Sequence, residues 1–317
     1  MNSATSQSAG SLGFTSAISH LGPSRSASNM EDLRLKSERN TGALGYAGMH
    51  IETVSRLRRR LLFFGAAGPA ANLISGTLAA LFVHNVPSSL RTTWVVSFAA
   101  GFSVMSLLIG LLSLVPYGKT LRSDGARIWM LLNSYDRTRR WITAAALSSQ
   151  QQKGVRPRHW KRTWLKIVCS VRDASIDEIS GNLLAYIAAS AIKEAPIAAA
   201  HLERCLELAP ISQPMMRDFV AREAAYFCAW FRGDSTLADR WLSQIKRPKL
   251  ATPLLQIRTN IAIDCARYKF DEAIGDWQKG ADFVERLPVT PLKKPLQESW
   301  QEWGDEIRER QRKTASV

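Results

Sequence analysis

The residues of this 317-residue chain that could carry metal or thiol chemistry are its histidines and cysteines. A catalytic zinc helix needs two histidines four residues apart and a glutamate after the first, which activates the metal-bound water. No histidine pair has that spacing, and His50-Ile51-Glu52 does not supply it; the five are His20, His50, His84, His159 and His201. The four cysteines are as scattered, which predicts buried free thiols in a reducing compartment; they are Cys169, Cys205, Cys228 and Cys265.

Two long uncharged segments must position any site in the first half of the chain. They are Leu61–Val83 and Thr93–Val115, and each exceeds the roughly 20 residues that an α-helix needs to cross the hydrocarbon of a bilayer. A buried helix of a soluble protein is the alternative, but such helices rarely remain uncharged over this length. The sequence therefore predicts a transmembrane helical hairpin.

Small and polar residues in and after these segments form two short motifs. The motif residues are Gly68, Pro69 and Asn72 in the first segment, and Pro116, Asp124 and Gly125 after the second. In this order they resemble the site-2 protease family of membrane zinc metallopeptidases (the M50 class), which pairs a Gly-Pro-x-x-Asn-like motif with a later Asn-x-x-Pro…Asp-Gly motif. The second motif departs from the family at Ser113, which stands in place of asparagine, and in its longer spacing from proline to aspartate. The resemblance covers about residues 40 to 290.

The resemblance implies a zinc site of which this chain retains one ligand. It makes Asp124 the third zinc ligand, whereas the family's His-Glu-x-x-His helix is not found in the sequence. Gene truncation and true loss of that helix both remain open. Without it, we expect the chain to bind no zinc and to leave peptides uncut. Taken alone, Asp124 could instead pair with Arg122 or Arg127, or cap the following helix.

The distribution of positive charge predicts how the hairpin lies in a membrane. Arginines at 56 and 58–60 precede the first segment, and Arg91 is the single basic residue of the 84–92 loop apart from His84. A second basic group follows the hairpin; it is Lys119, Arg122, Arg127, Arg137, Arg139 and Arg140. The positive-inside rule therefore places both termini in the cytoplasm, in an inner or plasma membrane.

The net charge of +15 indicates an anionic partner. Membrane lipid is favoured over nucleic acid, because the basic segment with Trp160 and Trp164 follows a membrane hairpin. That segment is expected to contact lipid headgroups, and nucleic acid is not an expected partner.

The second half of the chain has the spacing of helical hairpins. Ala198, Ala238 and Ala273 each follow a short turn, and their steps of 40 and 35 residues bracket the tetratricopeptide (TPR) period. Such hairpins bury their apolar faces by stacking. An aromatic stripe at 226–231 is most simply interpreted as repeat core, with a peptide-binding groove as the alternative.

The expected organisation is all-α in five parts. Residues 1–45 are a disordered segment, 46–137 the membrane hairpin, 138–173 a basic linker, 174–290 a TPR-like cytoplasmic domain, and 291–317 a charged tail. Two functions remain open at this point. One is an incomplete, inactive site-2-type metallopeptidase; the other is a non-catalytic membrane-anchored scaffold that binds a protein partner through its repeats.

Overall fold

The computed structural model describes residues 57–316, except 88, 90–92, 118–122 and 248–251. Within these residues the chain forms twelve α-helices and no strands, which confirms the all-α class. It divides into two compact units, whose described parts are residues 57–142 and 143–316. The predicted disordered segment 1–45 lies outside the described residues, as do Arg56, Arg91, Lys119 and Arg122.

The first unit, which we call the hairpin unit, contains two helices that are long and apolar enough to cross a bilayer. Its helices are α1 (Leu57–Asn85), α2 (Trp94–Leu114), α3 (Asp124–Asn133) and the beginning of α4 (Tyr135–Gln152). The most apolar 18-residue windows of α1 and α2 have mean hydropathies of 1.5 and 2.2, yet only 11% and 22% of them is buried within the structure. A core helix of a water-soluble protein would be mostly buried, so these apolar surfaces lack the cover that water requires.

Small residues join α1 to α2. The Ser103 hydroxyl donates a hydrogen bond of 2.8 Å to the Gly76 carbonyl oxygen. A Cβ atom at Gly76 would lie 2.9 Å from Leu107 Cγ, and one at Gly110 would lie 3.0 Å from Leu73 Cγ. These contacts pair α1 and α2 in antiparallel orientation, at a distance that larger residues would prevent.

The second unit, the tail unit, is a series of helical hairpins. After the end of α4, its helices are α5 (Arg162–Val168), α6 (Ile176–Ala191), α7 (Ala195–Leu208), α8 (Pro214–Arg232), α9 (Ser235–Ser243), α10 (Pro253–Ala266), α11 (Phe270–Glu285) and α12 (Lys293–Ala315). Helices α6–α7, α8–α9 and α10–α11 form the three hairpins that the sequence predicted between 174 and 290.

The turns of these hairpins share one backbone feature. Each contains a residue in the left-handed region five positions before a fully buried alanine. The turn residues are Lys193, Gly233 and Tyr268, with φ of 60°, 67° and 61°. The alanines are Ala198, Ala238 and Ala273, all 0% exposed. This equivalence supports a repeated unit, and its membership of the TPR class stays a prediction.

The predicted charged tail folds as α12 and packs on the last hairpin. The indole nitrogen of Trp277 donates to the Trp300 carbonyl oxygen (2.9 Å), and that of Trp300 donates to the Trp277 carbonyl oxygen (3.0 Å). The Trp300 ring lies over Gly280, and the Trp277 ring lies over Gly304. A Cβ atom at these glycines would come within 2.1 Å and 2.4 Å of the respective ring. The charged residues of this segment therefore lie on one helix, whose inner face closes the stack.

The predicted basic linker contains a small core of its own. Trp160 is 4% exposed and packs in a cluster with Leu147 and Val168. Its ring is therefore covered by protein and is not available to lipid headgroups, whereas headgroup contact by the rest of the segment stays a prediction. Trp164 is half-buried, and the Lys161 ammonium lies 5.6 Å from its ring centroid.

The aromatic stripe is core, as expected. Phe227 and Trp230 are 3% and 4% exposed. The ring of Trp303, from α12, packs edge-on against Trp230 at 5.2 Å between centroids and so covers part of the stripe.

Candidate functional site around Asp124

Asp124 is the first residue of α3, and its carboxylate faces α1. A Cβ atom at Gly68 would lie 3.9 Å from Asp124 Oδ2, so the missing side chain of Gly68 leaves this carboxylate close to the α1 backbone. Asp124 is half-buried, and a negative charge in the first turn of a helix is stabilised by the helix dipole.

Two of the three alternative roles of Asp124, capping α3 and pairing with Arg127, are not borne out by the local contacts. Ser123, not Asp124, caps α3, because its Oγ accepts a hydrogen bond of 3.1 Å from the Ala126 amide. The same hydroxyl donates to the Val115 carbonyl oxygen at 2.6 Å and so connects the end of α2 to the start of α3. In the described part of the chain Asp124 forms no ion pair with Arg127, and Arg122 lies outside it.

Gly125 is the most closely packed of the motif residues. A Cβ atom there would lie 1.8 Å from the Leu114 carbonyl oxygen, which is less than any side chain tolerates. Glycine at this position lets α3 begin directly against the last turn of α2. It thereby fixes where the carboxylate of the preceding residue lies.

The other motif residues are distributed along α1 and the α2–α3 connection. Pro69 is buried inside α1. Asn72, one turn further along α1, is half-buried. It lies beside Gly110 of α2, because a Cβ atom added to Gly110 would be 3.3 Å from Asn72 Cβ. Pro116 is exposed between α2 and α3. The structure thus brings the two motifs together through Gly68 and Asp124, and leaves Pro116 at the edge.

The donor set at Asp124 does not fit the zinc site of the resembled family. The described residues contain no group of three histidine, cysteine, aspartate or glutamate side chains that could hold a metal ion. His84, the one histidine described in the hairpin unit, lies 16 residues beyond Gly68 on α1, or about 24 Å along the helix. His20, His50 and Glu52 lie outside the described residues. A single carboxylate is therefore what this part of the chain offers.

A second polar cluster, in the tail unit, was not predicted from the sequence. The Cys169 sulfur lies 4.0 Å from His201 Nδ1, which in turn lies 2.9 Å from Asn182 Oδ1. Because Nδ1 donates to the Asn182 oxygen, it cannot also accept the Cys169 proton. Burial lowers the pKa of His201 and raises that of the neighbouring Cys205 thiol, so both groups stay neutral near pH 7. The one sequence signal was the spacing of His201 and Cys205 at i and i+4, which puts them on one face of α7.

No protein-family model, curated protein or solved structure matches this chain. The functional assignment therefore depends on the residues around Asp124 and on the contrast between the two units.

Proposed function

We propose that the chain is a site-2-protease-like (M50) integral membrane protein. In this proposal the hairpin unit is part of a peptidase core, and the tail unit is a helical-repeat domain. The chain does not hydrolyse peptides by itself, because it supplies one donor where a catalytic zinc needs three. The observation that carries the proposal is the contact between Gly68 and Asp124.

This contact joins two motifs that are 56 residues apart in the sequence. The order of the motifs along the chain does not require them to meet, because α1 and α2 could pair in other registers. The register that the structure adopts puts the carboxylate against the first residue of the Gly-Pro-x-x-Asn motif. A common site in the resembled family accounts for both the residue types and this meeting.

The chemical role that follows for each residue is one of positioning. Gly68 leaves space beside the carboxylate, and Gly125 allows α3 to start against Leu114. Asn72 carries an amide into an apolar helix, where such a group is costly without a partner. These features place one carboxylate and one amide within a mostly apolar unit.

The experiment that tests this proposal measures zinc and proteolysis together. The full chain, purified in detergent, is expected to contain well under one zinc per molecule and to leave a membrane substrate uncut. Co-expression with a membrane helix carrying His-Glu-x-x-His is expected to give stoichiometric zinc, which Asp124→Asn removes. Asp136→Asn is the matched control, because Asp136 also lies in the first turn of a helix but is exposed.

Two results would overturn the proposal. Zinc that appears on co-expression but persists in Asp124→Asn would show that Asp124 is not a ligand. Stoichiometric zinc in the chain alone, lost in Asp124→Ala, would show that the chain is not incomplete.

The proposed membrane placement has both termini in the cytoplasm. The exposed apolar faces of α1 and α2 support insertion, and the arginine clusters support this orientation. A reporter fused at Ser88 and another at Val317 are expected on opposite sides of the membrane. Finding both on one side would exclude the hairpin arrangement.

The second candidate function is a membrane-anchored TPR-like scaffold without catalytic ancestry. The repeated geometry of Lys193, Gly233 and Tyr268 and the closing helix α12 favour it, since they are what a binding stack requires. It predicts no zinc even when the histidine-bearing helix is supplied. It also predicts that the exposed surface of the tail unit can be crosslinked to one protein partner, and that the Asp124→Asn variant gives the same crosslinks as the unchanged chain.

A further inference from the structure

Helix α3 has one face packed on the hairpin unit and one large apolar face without protein cover. Met130 and Leu131 are buried, at 6% and 1% exposure. Trp129 and Leu132 on the opposite side are 63% and 54% exposed, and Tyr135, just beyond the helix, is 72% exposed. In water, three neighbouring exposed side chains of this size would form an unfavourable apolar surface.

The contacts of α3 show how far it extends along α1. At one end, Arg58 Nε and Nη2 donate to the carbonyl oxygens of Leu131 and Leu132, at 2.6 Å and 3.0 Å. At the other end Asp124 lies against Gly68. Helix α3 therefore runs antiparallel to the ten-residue stretch of α1 between Arg58 and Gly68, which is about 15 Å long.

Helix α2 does not reach this stretch. Its last residue, Leu114, contacts Gly125 at the inner end of α3, so α2 ends near the level of Gly68. The chain returns to the level of Arg58 through α3. The return path is thus made of two helices, α2 and α3. The length that α3 covers is about half of a 30 Å hydrocarbon core.

The carbonyl groups at the C-terminal end of α3 are bonded by protein groups. Besides the two that Arg58 occupies, the Met130 carbonyl oxygen accepts from Thr138 Oγ1 at 2.9 Å and from the Ser134 amide at 3.0 Å. A helix end in water can leave such groups to the solvent, whereas a helix end in lipid needs partners from the protein. The bonding of these carbonyl groups is an observation separate from the exposed apolar face, and it too fits a helix surrounded by lipid.

We propose that α3 lies within the lipid leaflet that the N-terminal end of α1 enters, with Trp129, Leu132 and Tyr135 facing lipid. Tryptophan and tyrosine are enriched where acyl chains meet headgroups. Arg58 supplies a positive charge at the C-terminal, negative end of the α3 dipole. The inner end of α3, with Asp124 beside Gly68, then lies about 10 Å inside the uncharged segment that begins at Leu61, or about a third of the way across a 30 Å hydrocarbon core.

This inference rests on the membrane insertion proposed above, and the experiment separates the two. Cys169, the half-buried native cysteine, is first replaced by serine in the full chain. One cysteine for bimane labelling is then introduced at Trp129 or at Leu132. Both positions are exposed, so the core of the unit stays intact. Leu108→Cys on the exposed face of α2 tests insertion itself, and Arg240→Cys on α9 is the water-exposed reference. The protein is reconstituted in phosphatidylcholine–phosphatidylglycerol bilayers containing lipids brominated on the upper acyl chain.

The expected result is a loss of fluorescence at 129 and 132 comparable to that at 108, with little loss at 240. Quenching at 108 but not at 129 and 132 would overturn the placement of α3 and leave the insertion of the hairpin intact. No quenching at any of the three would overturn both. Spontaneous disulfide crosslinking of two chains through Trp129→Cys, without lipid quenching, would overturn it by showing that this face binds a second copy.

Discussion

The hairpin unit and the tail unit are both helical, but they distribute polarity in opposite ways. The hairpin unit buries serine and glycine, as at Ser103 and Gly110, and exposes large apolar side chains such as Phe98, which is 70% exposed. The tail unit buries large aromatic side chains such as Trp277, and even Glu223, at 6% and 1% exposure.

This is the difference that two different solvents would produce. In water the hydrophobic effect drives large apolar side chains into the interior, and the surface remains charged. In lipid that driving force between helices is absent, and helices associate where small residues allow close approach and polar groups bond. The long helices of the hairpin unit follow the second rule and the core of the tail unit follows the first, so separating or altering either unit tests the comparison.

The largest expected effect comes from separating the units. A fragment of residues 143–317 is expected to be soluble without detergent, mostly helical by circular dichroism, and cooperative in thermal unfolding, because its core is internal. The shorter fragment 170–290 lacks α12, which covers Trp277, and is expected to unfold at a lower temperature. A random-coil spectrum of the longer fragment would show that the tail unit depends on the hairpin unit.

Breaking the buried ion pair of the tail unit is expected to have the next largest effect. Arg258 donates a hydrogen bond of 2.5 Å to Glu223, whose side chain is 1% exposed, whereas that of Arg258 is 29% exposed. Glu223→Ala leaves this guanidinium without its carboxylate and is expected to lower the free energy of unfolding by about 3 kcal/mol. Denaturant unfolding of the 143–317 fragment measures it.

The control for Glu223 is a pair on the surface. Lys279 and Asp276 are 2.7 Å apart, but the Lys279 side chain is 73% exposed. Lys279→Ala is expected to change the free energy of unfolding far less than Glu223→Ala does, because solvent screens an exposed pair. Equal losses in the two variants would mean that Glu223 is not in a buried environment.

In the hairpin unit the sensitive positions are expected to be glycines. Gly125→Ala would place a Cβ atom 1.8 Å from the Leu114 carbonyl oxygen, whereas nothing lies within 4 Å of one at Gly101. We expect Gly125→Ala to destabilise the unit by about 1–3 kcal/mol or more and Gly101→Ala to leave it unchanged or slightly more stable. Thermal unfolding in detergent compares them. Similar melting of the two variants would contradict the contact between α2 and α3.

The hairpin turns of the tail unit provide a reciprocal test. Gly233 has φ of 67° and Tyr268 has φ of 61° at the equivalent position. A residue with a side chain costs about 1 kcal/mol in the left-handed backbone region. Gly233→Ala is therefore expected to destabilise the tail unit by about that amount, and Tyr268→Gly is expected to stabilise it by a smaller amount. Changes of the same sign in both variants would show that the two turns are not equivalent.

The sequence predicted those features that local patterns determine. The two apolar segments and the buried alanines after each turn follow from uncharged length and from repeat spacing, and the structure has both. The burial of Trp160 could not be predicted, because its partners come from other helices. The meeting of Asp124 with Gly68 depends on the register of three helices, which no local pattern specifies, and it was not predicted. The packing of α12 likewise depends on the pairing of Trp277 with Trp300 across 23 residues.

The smallest expected effect is a dependence of tail-unit stability on pH. Burial lowers the pKa of His201, so the folded protein binds a proton less readily than the unfolded chain. Its contribution to stability is therefore fully present above the ordinary histidine pKa of about 6.5 and declines as the pH falls below that value, toward the lower pKa of the folded state. In His201→Gln, which keeps a polar group near Asn182, this decline is expected to be smaller between pH 6.5 and 5. The same change at the exposed His159 is the control. Denaturant unfolding of the 143–317 fragment at several pH values compares the three proteins. An unchanged decline in His201→Gln would assign the acid sensitivity to other groups and would remove His201 from the features that distinguish the tail unit.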